Sequence, residues 1–369
     1  MNNTSLYLSN ATLTPSSYYR LTQYFAQTGA TIHSTLPNNI YIWWHSKGKY
    51  GPKIFKLYLY LVYAFRTLWF LIQDLHEVRN GTIIISRVIV PHHMPYIHRF
   101  LITRLARSNR IIWDFDDNIL DIRSISKTDF RFFSKISYKI VVTNDYLLSL
   151  IDKEFANKVH ILPTTDGDMI GYDIPTITSQ RQQLYNTEIR LVWVATASGL
   201  EYLSPIIPIL DEAARLLKER NNKSLSLHIV CNKPLKAITS YLNIVNVLWE
   251  REKAKQEIIA AHIGLMPLPD TSFTRGKGGF KLIQYMSASM PVIASNVGFN
   301  KQVVTHDVGF LVDDEGTGTT WGEAILDMSY DWNHYLKLSQ NARSHYDQHF
   351  SYNYNKEFWI KETSPNMAS

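Results

Sequence analysis

One stretch, residues 273–300, constrains the fold of this chain more than any other. It reads FTRGKGGFKLIQYMSASMPVIASNVGFN, which is a glycine-rich loop with two cations, an apolar stripe at helical spacing, and a short apolar run after Pro291. The stripe predicts a helix, and the run Val292-Ile293-Ala294 is typical of a fully buried strand. A loop, a helix and a buried strand in this order favour a parallel α/β fold.

The loop and the start of this helix have the chemistry of a diphosphate site. Gly278 and Gly279 let the backbone approach a ligand closely, and a helix start carries unpaired N–H groups. Lys277 and Lys281 are four residues apart and can point to one side, while Arg275 adds a planar fork suited to phosphate oxygens. The alternative is a solvated basic loop, although cations at a helix N-terminus oppose the helix dipole. The spacing matches neither GxxxxGK[ST] nor GxGxxG.

This stretch resembles the donor-binding segment of retaining GT-B glycosyltransferases of family 4. It is most similar to a bacterial subgroup that reads R-G-K-x-G-F-K-L-x-Q-Y-M-A-x-G-x-P-V-x-A-S-x-V-G. Two glutamates eight positions apart usually mark this element in family 4, whereas here Gln284 lies at the second position and Gly276 near the first. Ser289 stands where the subgroup usually has glycine. The resemblance covers most of the chain and is strongest over 190–312.

Length and composition narrow the class of protein. With 369 residues the chain is too long for one ordinary core and suits two domains. Its single cysteine, Cys231, excludes an internal disulfide and fits a reducing compartment. The start of the chain has no cationic segment followed by an apolar core, so we expect no signal peptide and a cytoplasmic location.

The net charge of +6 and the aromatic content of 13% are compatible with nucleic acid, an anionic membrane or phosphate-bearing substrates as partners. The sequence has no zinc-finger, RNP or helix-turn-helix signature, so nucleic acid is not expected.

The first half of the chain reads as short apolar strands that alternate with helices. The expected strands are 5–8, 30–34, 82–86, 111–113, 139–143 and 159–162. Ligands in such sheets bind beyond the carboxyl ends of the strands, so these ends supply the candidate acceptor-site residues. They are Pro15, Ser16, Ser17, Tyr19, Arg87 and Asn144. Ser17 is equally suited to be the N-cap of the helix expected from about Tyr18.

Three carboxylates follow directly on the buried strand 111–113, in the run Asp114-Phe115-Asp116-Asp117. The D-x-D spacing fits a metal site, and a capping or hydrogen-bonding role for Asp117 is the alternative. The bacterial subgroup carries a matching D-F-D-D, and in the wider family a histidine that touches the donor sugar aligns with Asp116. The resemblance therefore implies that Asp116 and Asp114 face the sugar or the acceptor, and that no metal is needed.

Residues 41–75, YIWWHSKGKYGPKIFKLYLYLVYAFRTLWFLIQDL, are unusually apolar and aromatic. The span 54–72 is nearly as long as the ~20 residues of a membrane-spanning helix. Arg66 at its centre would cost ~2.5–3.5 kcal/mol on insertion scales. The pair Trp43-Trp44 and the nearby lysines are typical of an interfacial anchor. A buried core helix, a membrane-docking surface and a spanning helix remain open, and a docking surface would place the protein peripherally on the inner face of the cytoplasmic membrane.

The second half repeats the alternation of buried strands and helices, beginning with a strand expected at 190–195 and ending with one at 309–312. The loop after its first strand is similar to the subgroup's W-x-G-S/T, which implies that Thr196 and Ser198 lie at the donor. By the resemblance, Trp249 and Glu250 align with the residues that stack on and recognise the nucleotide base in the family. The alternative is that Trp249 is a packed tryptophan of the core. Many family members have an arginine and a lysine after the first strand. This loop has neither, so the cations of 275–281 would serve instead.

We therefore expect an α/β protein of the GT-B class, with two Rossmann-like domains and parallel sheets facing a cleft. The expected parts are an acceptor-binding domain over 1–166, a polar linker over 167–188, a nucleotide-sugar-binding domain over 189–349, and a C-terminal helix and tail over 350–369 that cross back to the first domain.

The resemblance implies a retaining transfer of a sugar from a nucleotide-diphosphate sugar to a saccharide or polyprenyl-linked acceptor, in bacterial surface polysaccharide or glycolipid synthesis. Arg275, Lys277 and Lys281 would meet the charge of the leaving nucleoside diphosphate without a metal cofactor, and Gln284 would hold the ribose. Two other functions remain open: a non-catalytic GT-B subunit that binds a partner glycosyltransferase, and a nucleotide-sugar epimerase. A Rossmann oxidoreductase would need GxGxxG after the first strand, and LYLSNATLTPSS lacks it.

Overall fold

A computed structural model describes residues 3–313 and 318–364 of the chain. The last five residues of the expected C-terminal tail, 365–369, lie outside the described residues. The chain forms two compact units. The first contains the residues up to Thr164, the short segment Gly276–Gly278 and the residues from Asn353 onward. The second contains Thr165–Arg275 and Gly279–Tyr352.

The first unit is built on a parallel six-stranded sheet in the order β2-β1-β3-β4-β5-β6. Its strands are β1 (Thr4–Leu8), β2 (Thr31–Ser34), β3 (Thr82–Ser86), β4 (Arg110–Phe115), β5 (Lys139–Val142) and β6 (Val159–Ile161). Strands β1 and β3 are buried along their whole length, as expected for continuous apolar runs in a parallel sheet. In β4, Trp113 packs against the rings of Phe115, Phe130 and Phe133, with centroids 4.7–5.4 Å away.

Helices cover this sheet and connect its strands. They are α1 (Pro15–Ser17), α2 (Gln23–Phe25), α3 (Asn38–Ser46), α4 (Lys53–Glu77), α5 (Tyr96–Leu105), α6 (Lys127–Ile136) and α7 (Asp145–Ser149). A π-helical turn, Tyr18–Thr22, joins α1 to α2. Ser17 directly precedes this turn, as expected, but its backbone is already helical and its side chain makes no capping hydrogen bond; the helical segment as a whole begins after Thr14.

The second unit contains a second parallel six-stranded sheet, in the order β12-β11-β10-β7-β8-β9. Its strands are β7 (Glu188–Val194), β8 (Ser224–Cys231), β9 (Asn243–Leu248), β10 (Ile263–Met266), β11 (Val292–Ser295) and β12 (Gly309–Val312). Along β7, Leu191 and Trp193 belong to one buried cluster, while Val192 and Val194 belong to another. Both faces of the sheet are therefore covered, which explains the continuous apolar run in the sequence.

The helices of the second unit are α8 (Ile174–Tyr185), α9 (Leu200–Leu203), α10 (Ile207–Asn221), α11 (Arg251–Ala260), α12 (Ser272–Arg275), α13 (Phe280–Ser287), α14 (Asn300–Val303), α15 (Trp321–Tyr330) and α16 (Trp332–His349). Helices α10 and α15 contribute to the cluster that contains Leu191, and α11, α13 and α16 to the cluster that contains Val192. The prediction of an α/β protein with two parallel sheets is confirmed.

The segment 167–188 is not the linker that its polar composition indicated. It contains α8, and the buried Arg181 on this helix donates to the carbonyl oxygens of Ile258 and Ile259 at the end of α11. The same guanidinium donates to Ala288 and Ser289 just beyond the end of α13. Cations are stabilising at helix C-termini, so α8 is an integral part of the second unit.

The last helix, α17 (Tyr352–Thr363), lies in the first unit from Asn353 onward, although it follows the second unit in the sequence. Trp359 is buried with its ring 6.0 Å from that of Phe25. Glu362 forms an ion pair with Lys139, and the Asn355 side chain donates to the carbonyl oxygen of Pro163 at 2.7 Å. The prediction of a C-terminal helix that returns to the first domain is therefore confirmed.

The long helix α4 packs on the first unit along one side only. Its buried residues are Leu59, Tyr63, Thr67, Leu71 and Asp74. The carboxylate of Asp74 accepts a hydrogen bond from Tyr7 at 2.7 Å and contacts the His33 ring at 3.0 Å. Among the described residues, α4 is the one helix long and apolar enough to cross a membrane by length and composition, and 22% of its most apolar window is buried.

Candidate functional site

The first unit carries a cluster of charges where β3 and β4 end. Arg87, directly after β3, has a left-handed backbone (φ 55°), and its N–H donates to the carbonyl oxygen of Asp114 at 2.6 Å. Its guanidinium donates to Asp116 and to Asp117, both at 2.6 Å. A left-handed backbone is uncommon for arginine and mildly strained, and these bonds hold the Arg87 backbone in this otherwise disfavoured conformation.

Asp116 is held in its ionised form by this cluster. Burial by itself would raise the pKa of the Asp116 carboxyl, but the charge and hydrogen bond of Arg87, together with the charges of Arg20 and Lys277, lower the pKa below its ordinary value. The cluster therefore presents a carboxylate of fixed orientation at the carboxyl edge of the sheet. Such a group can accept a hydrogen bond from a sugar hydroxyl.

Asp114 is placed differently from Asp116. It is fully buried, and its carboxylate pairs with the equally buried guanidinium of Arg20. The same guanidinium donates to the carbonyl oxygen of Leu162 at 2.5 Å and to the Thr164 hydroxyl at 3.3 Å. The structure thus directs Asp114 into the core of the first unit and leaves Asp116 as the partly exposed member of the pair. Arg20 was not identified from the sequence, because a single cation in a helical segment gives no sign of its buried partner.

The glycine-rich segment Gly276–Gly278 belongs to the first unit. Lys277 forms an ion pair with Asp117 at 3.0 Å, so the two cations Arg87 and Lys277 share one carboxylate. The Asn144 side chain donates to the carbonyl oxygens of Gly276 and Lys277, both at 3.2 Å. Its oxygen accepts from the N–H of Leu147 and caps α7. Asn144, a candidate acceptor residue, therefore positions this segment.

Close packing explains why Lys277 is flanked by two glycines in this segment. A Cβ on Gly278 would lie 2.9 Å from atoms of the Thr143 side chain, and one on Gly276 would lie 3.1 Å from Asn118. Side chains at these positions would push the segment away from the first unit.

The other acceptor candidates of the first unit lie in the helical segment after β1. Ser17 and Tyr19 are buried, whereas Ser16 is half-buried. Of these three, Ser16 is therefore the side chain with the most access to a ligand.

In the second unit, α13 begins directly after Gly279, as the sequence predicted. Gly279 has a left-handed backbone (φ 62°), and Lys281 lies in the first turn of the helix. Arg275, at the end of α12, forms a two-pronged ion pair with Asp270, with N–O distances of 2.5 and 2.9 Å. Asp270 holds the arginine fork at the carboxyl edge of this sheet, because it follows shortly after β10. The sequence interpretation did not single out Asp270.

At the end of α13, Ser289 departs from the glycine of the resembling subgroup. The structure gives it the left-handed conformation (φ 55°) that glycine adopts most easily. Its hydroxyl donates to the carbonyl oxygen of Ser339 at 2.8 Å, and the Ser339 hydroxyl donates back to Ser289 at 2.6 Å. These bonds offset the cost of the conformation.

Gln284 on α13 is buried, with 4% of its surface exposed. Its amide nitrogen donates to the Asp166 carboxylate at 2.5 Å. The other oxygen of Asp166 accepts from the N–H of Asp168 at 2.8 Å. The residue expected to hold the ribose thus ties α13 to the residues that precede α8.

The pKa of Asp166 predicts a dependence of stability on pH. Burial raises this pKa to about 6, and the hydrogen bond from Gln284 offsets part of the effect. Because the folded protein binds the proton more tightly than the unfolded chain, Asp166 contributes stability that is present at about pH 4 and lost as the pH rises through about 6. We expect the unfolding free energy of wild type to fall by up to ~3 kcal/mol more than that of Asp166→Asn over this range. Urea denaturation at several pH values measures this. Parallel pH curves for the two proteins would contradict it.

The remaining donor candidates lie at the carboxyl ends of β7 and β9. The Thr196 and Ser198 hydroxyls are hydrogen-bonded to each other at 3.0 Å, and the N–H of Ala197 donates to Asn232 at 2.7 Å. Trp249 is 37% exposed after β9, and Glu250 pairs with Lys253. Asn232, which directly follows β8, shapes this loop and was missed in the sequence. A partly exposed indole at a strand end can stack on a nucleotide base.

Comparison with known proteins adds a family match for part of the chain. Residues 207–345, which include α13 and the strands on either side of it, match the family model described as "Glycosyl transferases group 1". No curated protein sequence matches the chain significantly.

Solved structures with the same fold cover nearly the whole chain. Sucrose-phosphate synthase from Thermosynechococcus elongatus has a TM-score of 0.63 at 13% identity, covering 97% of this chain and 97% of its own. A glycosyltransferase from Rickettsia africae ESF-5 has a TM-score of 0.60 at 13% identity, with 97% of each chain covered. HepE from Anabaena, in complex with UDP and glucose, has a TM-score of 0.57 at 12% identity, covering 97% of this chain and 98% of its own.

At these identities the likeness shows the fold, which is GT-B with two Rossmann-like domains. This fold and the group 1 match over residues 207–345 together support a GT-B glycosyltransferase.

Proposed function

We propose that the protein is a retaining glycosyltransferase, related to family 4, that moves a sugar from a nucleotide-diphosphate sugar to a saccharide or polyprenyl-linked acceptor. The observation that carries the proposal is the stretch from Arg275 to α13. It places an arginine fork, a left-handed glycine and Lys281 in the first turn of a helix, within the segment that matches the glycosyltransferase model. Cations and helix N–H groups together suit a diphosphate.

The chemistry required of the second unit is the binding of a leaving nucleoside diphosphate. As the bond to the anomeric carbon breaks, negative charge grows on the diphosphate, and preorganised cations stabilise it without a metal ion. Arg275 and Lys281 would supply this charge. Trp249 would stack on the base, and the hydroxyls of Thr196 and Ser198, which follow β7, would donate hydrogen bonds to the donor.

The chemistry required of the first unit is the orientation of the sugar and the acceptor hydroxyl. Asp116 is ionised and held by Arg87, so it would accept a hydrogen bond from the sugar or from the attacking hydroxyl. Lys277 would add positive charge beside it. Asp114 would act as a positioning residue, because its carboxylate is buried against Arg20.

Another structure of HepE from Anabaena is a complex with UDP-glucose, so a UDP-sugar is the first donor to test. Synthesis of a bacterial surface polysaccharide or glycolipid in the cytoplasm is the pathway class that fits a polyprenyl-linked acceptor.

One observation favours a second candidate function, a non-catalytic GT-B subunit that binds a partner glycosyltransferase. Neither of the family's two glutamates is present, and Gln284 at the second position is bonded to Asp166 within the second unit. A subunit of this kind would bind a nucleotide but would not transfer the sugar of a nucleotide sugar.

Nucleotide binding is the first test. We expect the melting temperature of the wild type to rise with one of UDP, GDP, ADP, CDP and dTDP, since saturation at ~100 times the dissociation constant adds ~2.7 kcal/mol of stability. Lys281→Ala should lose most of the shift. The matched control is Lys337→Ala, which changes an exposed lysine on α16.

The outcomes separate the two functions. A shift accompanied by release of the nucleoside diphosphate from the matching sugar donor supports the transferase. A shift without any turnover supports the non-catalytic subunit, and no shift with any of the five nucleotides contradicts the donor site.

A further inference from the structure

Helix α4 presents a wholly apolar face to solvent, opposite the side that packs on the first unit. Every exposed residue between positions 57 and 75 is hydrophobic: Leu57, Tyr58, Leu61, Phe65, Trp69 and Ile72. Their spacing of mostly three or four positions places them along one side of the helix. Phe65 and Trp69 are the most exposed, at 68% and 69%. Single exposed apolar residues are ordinary, but a contiguous stripe of this length marks an interaction surface.

Helix α5 lies beside α4 and widens this surface. Its His98 ring contacts the carbonyl oxygen of Ala64 at 2.9 Å and the Thr67 hydroxyl at 3.0 Å, which fixes α5 against α4. The residues that α5 exposes include Tyr96, Ile97 and Phe100. Two neighbouring helices of the first unit therefore both expose large apolar side chains.

The charges around this surface are almost all positive. Residues 1–113 contain only two acidic side chains, Asp74 and Glu77, and Asp74 is buried. Exposed lysines surround the beginning of α4: Lys47, Lys49, Lys53 and Lys56. A cluster of aromatic rings lies at the same end, where the Trp43 ring is 5.1 Å from that of Phe55 and 5.8 Å from that of Tyr58. Apolar side chains flanked by tryptophan, tyrosine and lysine are typical of helices that lie in a membrane interface.

We propose that the surface formed by α3, α4 and α5 docks the protein on an anionic lipid bilayer, with α4 lying parallel to the membrane plane. The proposal goes beyond glycosyl transfer, since it concerns a partner surface of the first unit. It places the protein on the inner face of the cytoplasmic membrane, where a polyprenyl-linked acceptor would be presented.

Two other occupants fit the observations less well. In a symmetric pair of two copies, the lysine-rich end of α4 would face either the same end of the partner helix or its opposite end. The first arrangement brings the lysines of both copies together, and the second offers four exposed lysines one exposed carboxylate on α4, Glu77, so neither arrangement matches the charges. A spanning arrangement would pull Asp74 away from Tyr7 and His33, and would remove the hydrogen bond from Arg66 to the carbonyl oxygen of Ser34. Lipid headgroups of negative charge complement the lysines, and the acyl chains complement the apolar stripe.

Vesicle sedimentation tests the proposal with the full chain. We expect wild type to sediment with vesicles of phosphatidylcholine and phosphatidylglycerol, and much less with phosphatidylcholine alone. Phe65→Ser/Trp69→Ser should weaken partitioning about a hundredfold, since both side chains would otherwise be buried in lipid. The matched control is Ile238→Ser/Tyr330→Ser, which removes two exposed apolar side chains from the second unit. Lys53→Glu/Lys56→Glu should weaken binding on the anionic vesicles in particular.

The nucleotide-induced rise in melting temperature should be the same in wild type and Phe65→Ser/Trp69→Ser, which shows that the variant is folded and separates this test from that of the transferase. Failure of wild type to bind either vesicle would overturn the proposal, as would equal binding by wild type and this variant. Wild-type dimers that disappear in the variant, measured by sedimentation velocity without lipid, would identify a second copy as the occupant and overturn it as well.

Discussion

Replacing both Lys277 and Lys281 by alanine is expected to reduce turnover of the nucleotide-sugar donor at least about a thousandfold, because removal of even one preorganised donor from a developing anion typically costs a factor of roughly 100 to 1,000. Lys281 lies in the first turn of α13, and Lys277 contacts the Asp117 carboxylate. The measurement is the rate of nucleoside diphosphate release from the donor whose nucleotide gives the thermal shift.

Single variants separate the two roles. Lys281→Ala should weaken nucleotide binding and turnover together. Lys277→Ala should chiefly lower turnover, because the lysine belongs to the charge cluster of Asp116 and Asp117. Lys337→Ala, on the outside of α16, is the control and should turn over like wild type. Unchanged turnover in the double variant would refute the role of these cations.

The second large effect is on stability. Arg20→Met is expected to lower the free energy of unfolding by about 3–5 kcal/mol, since it leaves the fully buried Asp114 carboxylate without its cation. It also removes the donors to the Leu162 carbonyl oxygen and the Thr164 hydroxyl. Urea denaturation of the purified protein measures the change.

Two controls show whether the loss comes from the unpaired charge. Arg20→Met/Asp114→Leu removes both charges and should recover a substantial part of the stability. Arg215→Met breaks two surface ion pairs on α10, with Glu212 and Glu219, and should leave the urea midpoint almost unchanged. If Arg20→Met is as stable as wild type, Asp114 is not the buried partner of Arg20, and a direct role at the sugar regains support.

Most of the fold was predictable from the sequence, because strands buried on both faces must be continuously apolar. The strands expected at 82–86 and 309–312 are β3 and β12 to the residue, and the one expected at 190–195 agrees with β7 within two residues at either end. The structure differs from the expected linker over 167–188, because that expectation depended only on the polar composition of the segment. Ile177, Arg181 and Tyr185 lie on one side of α8 and are buried, which makes a mostly polar sequence part of the second unit.

The sequence predicted where the charged side chains of the candidate site lie, but not which side chains pair with one another. The sequence located carboxylates at the end of β4 and cations at the start of α13, because the carboxyl ends of parallel strands and helix starts are where ligands bind. It did not distinguish Asp114, near the end of β4, from Asp116, which directly follows the strand. Both lie at the carboxyl edge of the same sheet, so only the partner that each one meets separates them.

The sequence by itself determined the two parallel sheets, the glycine-rich stretch with its cations, and the long apolar segment at 54–72, since each follows from local pattern. Only the tertiary structure decided which polar groups form hydrogen bonds or ion pairs with residues far away in the sequence. Arg20 meets Asp114 across 94 positions and Gln284 meets Asp166 across 118. It also decided that α4 buries one side and exposes the other, because a helix that is apolar all round carries no signal of which face will pack.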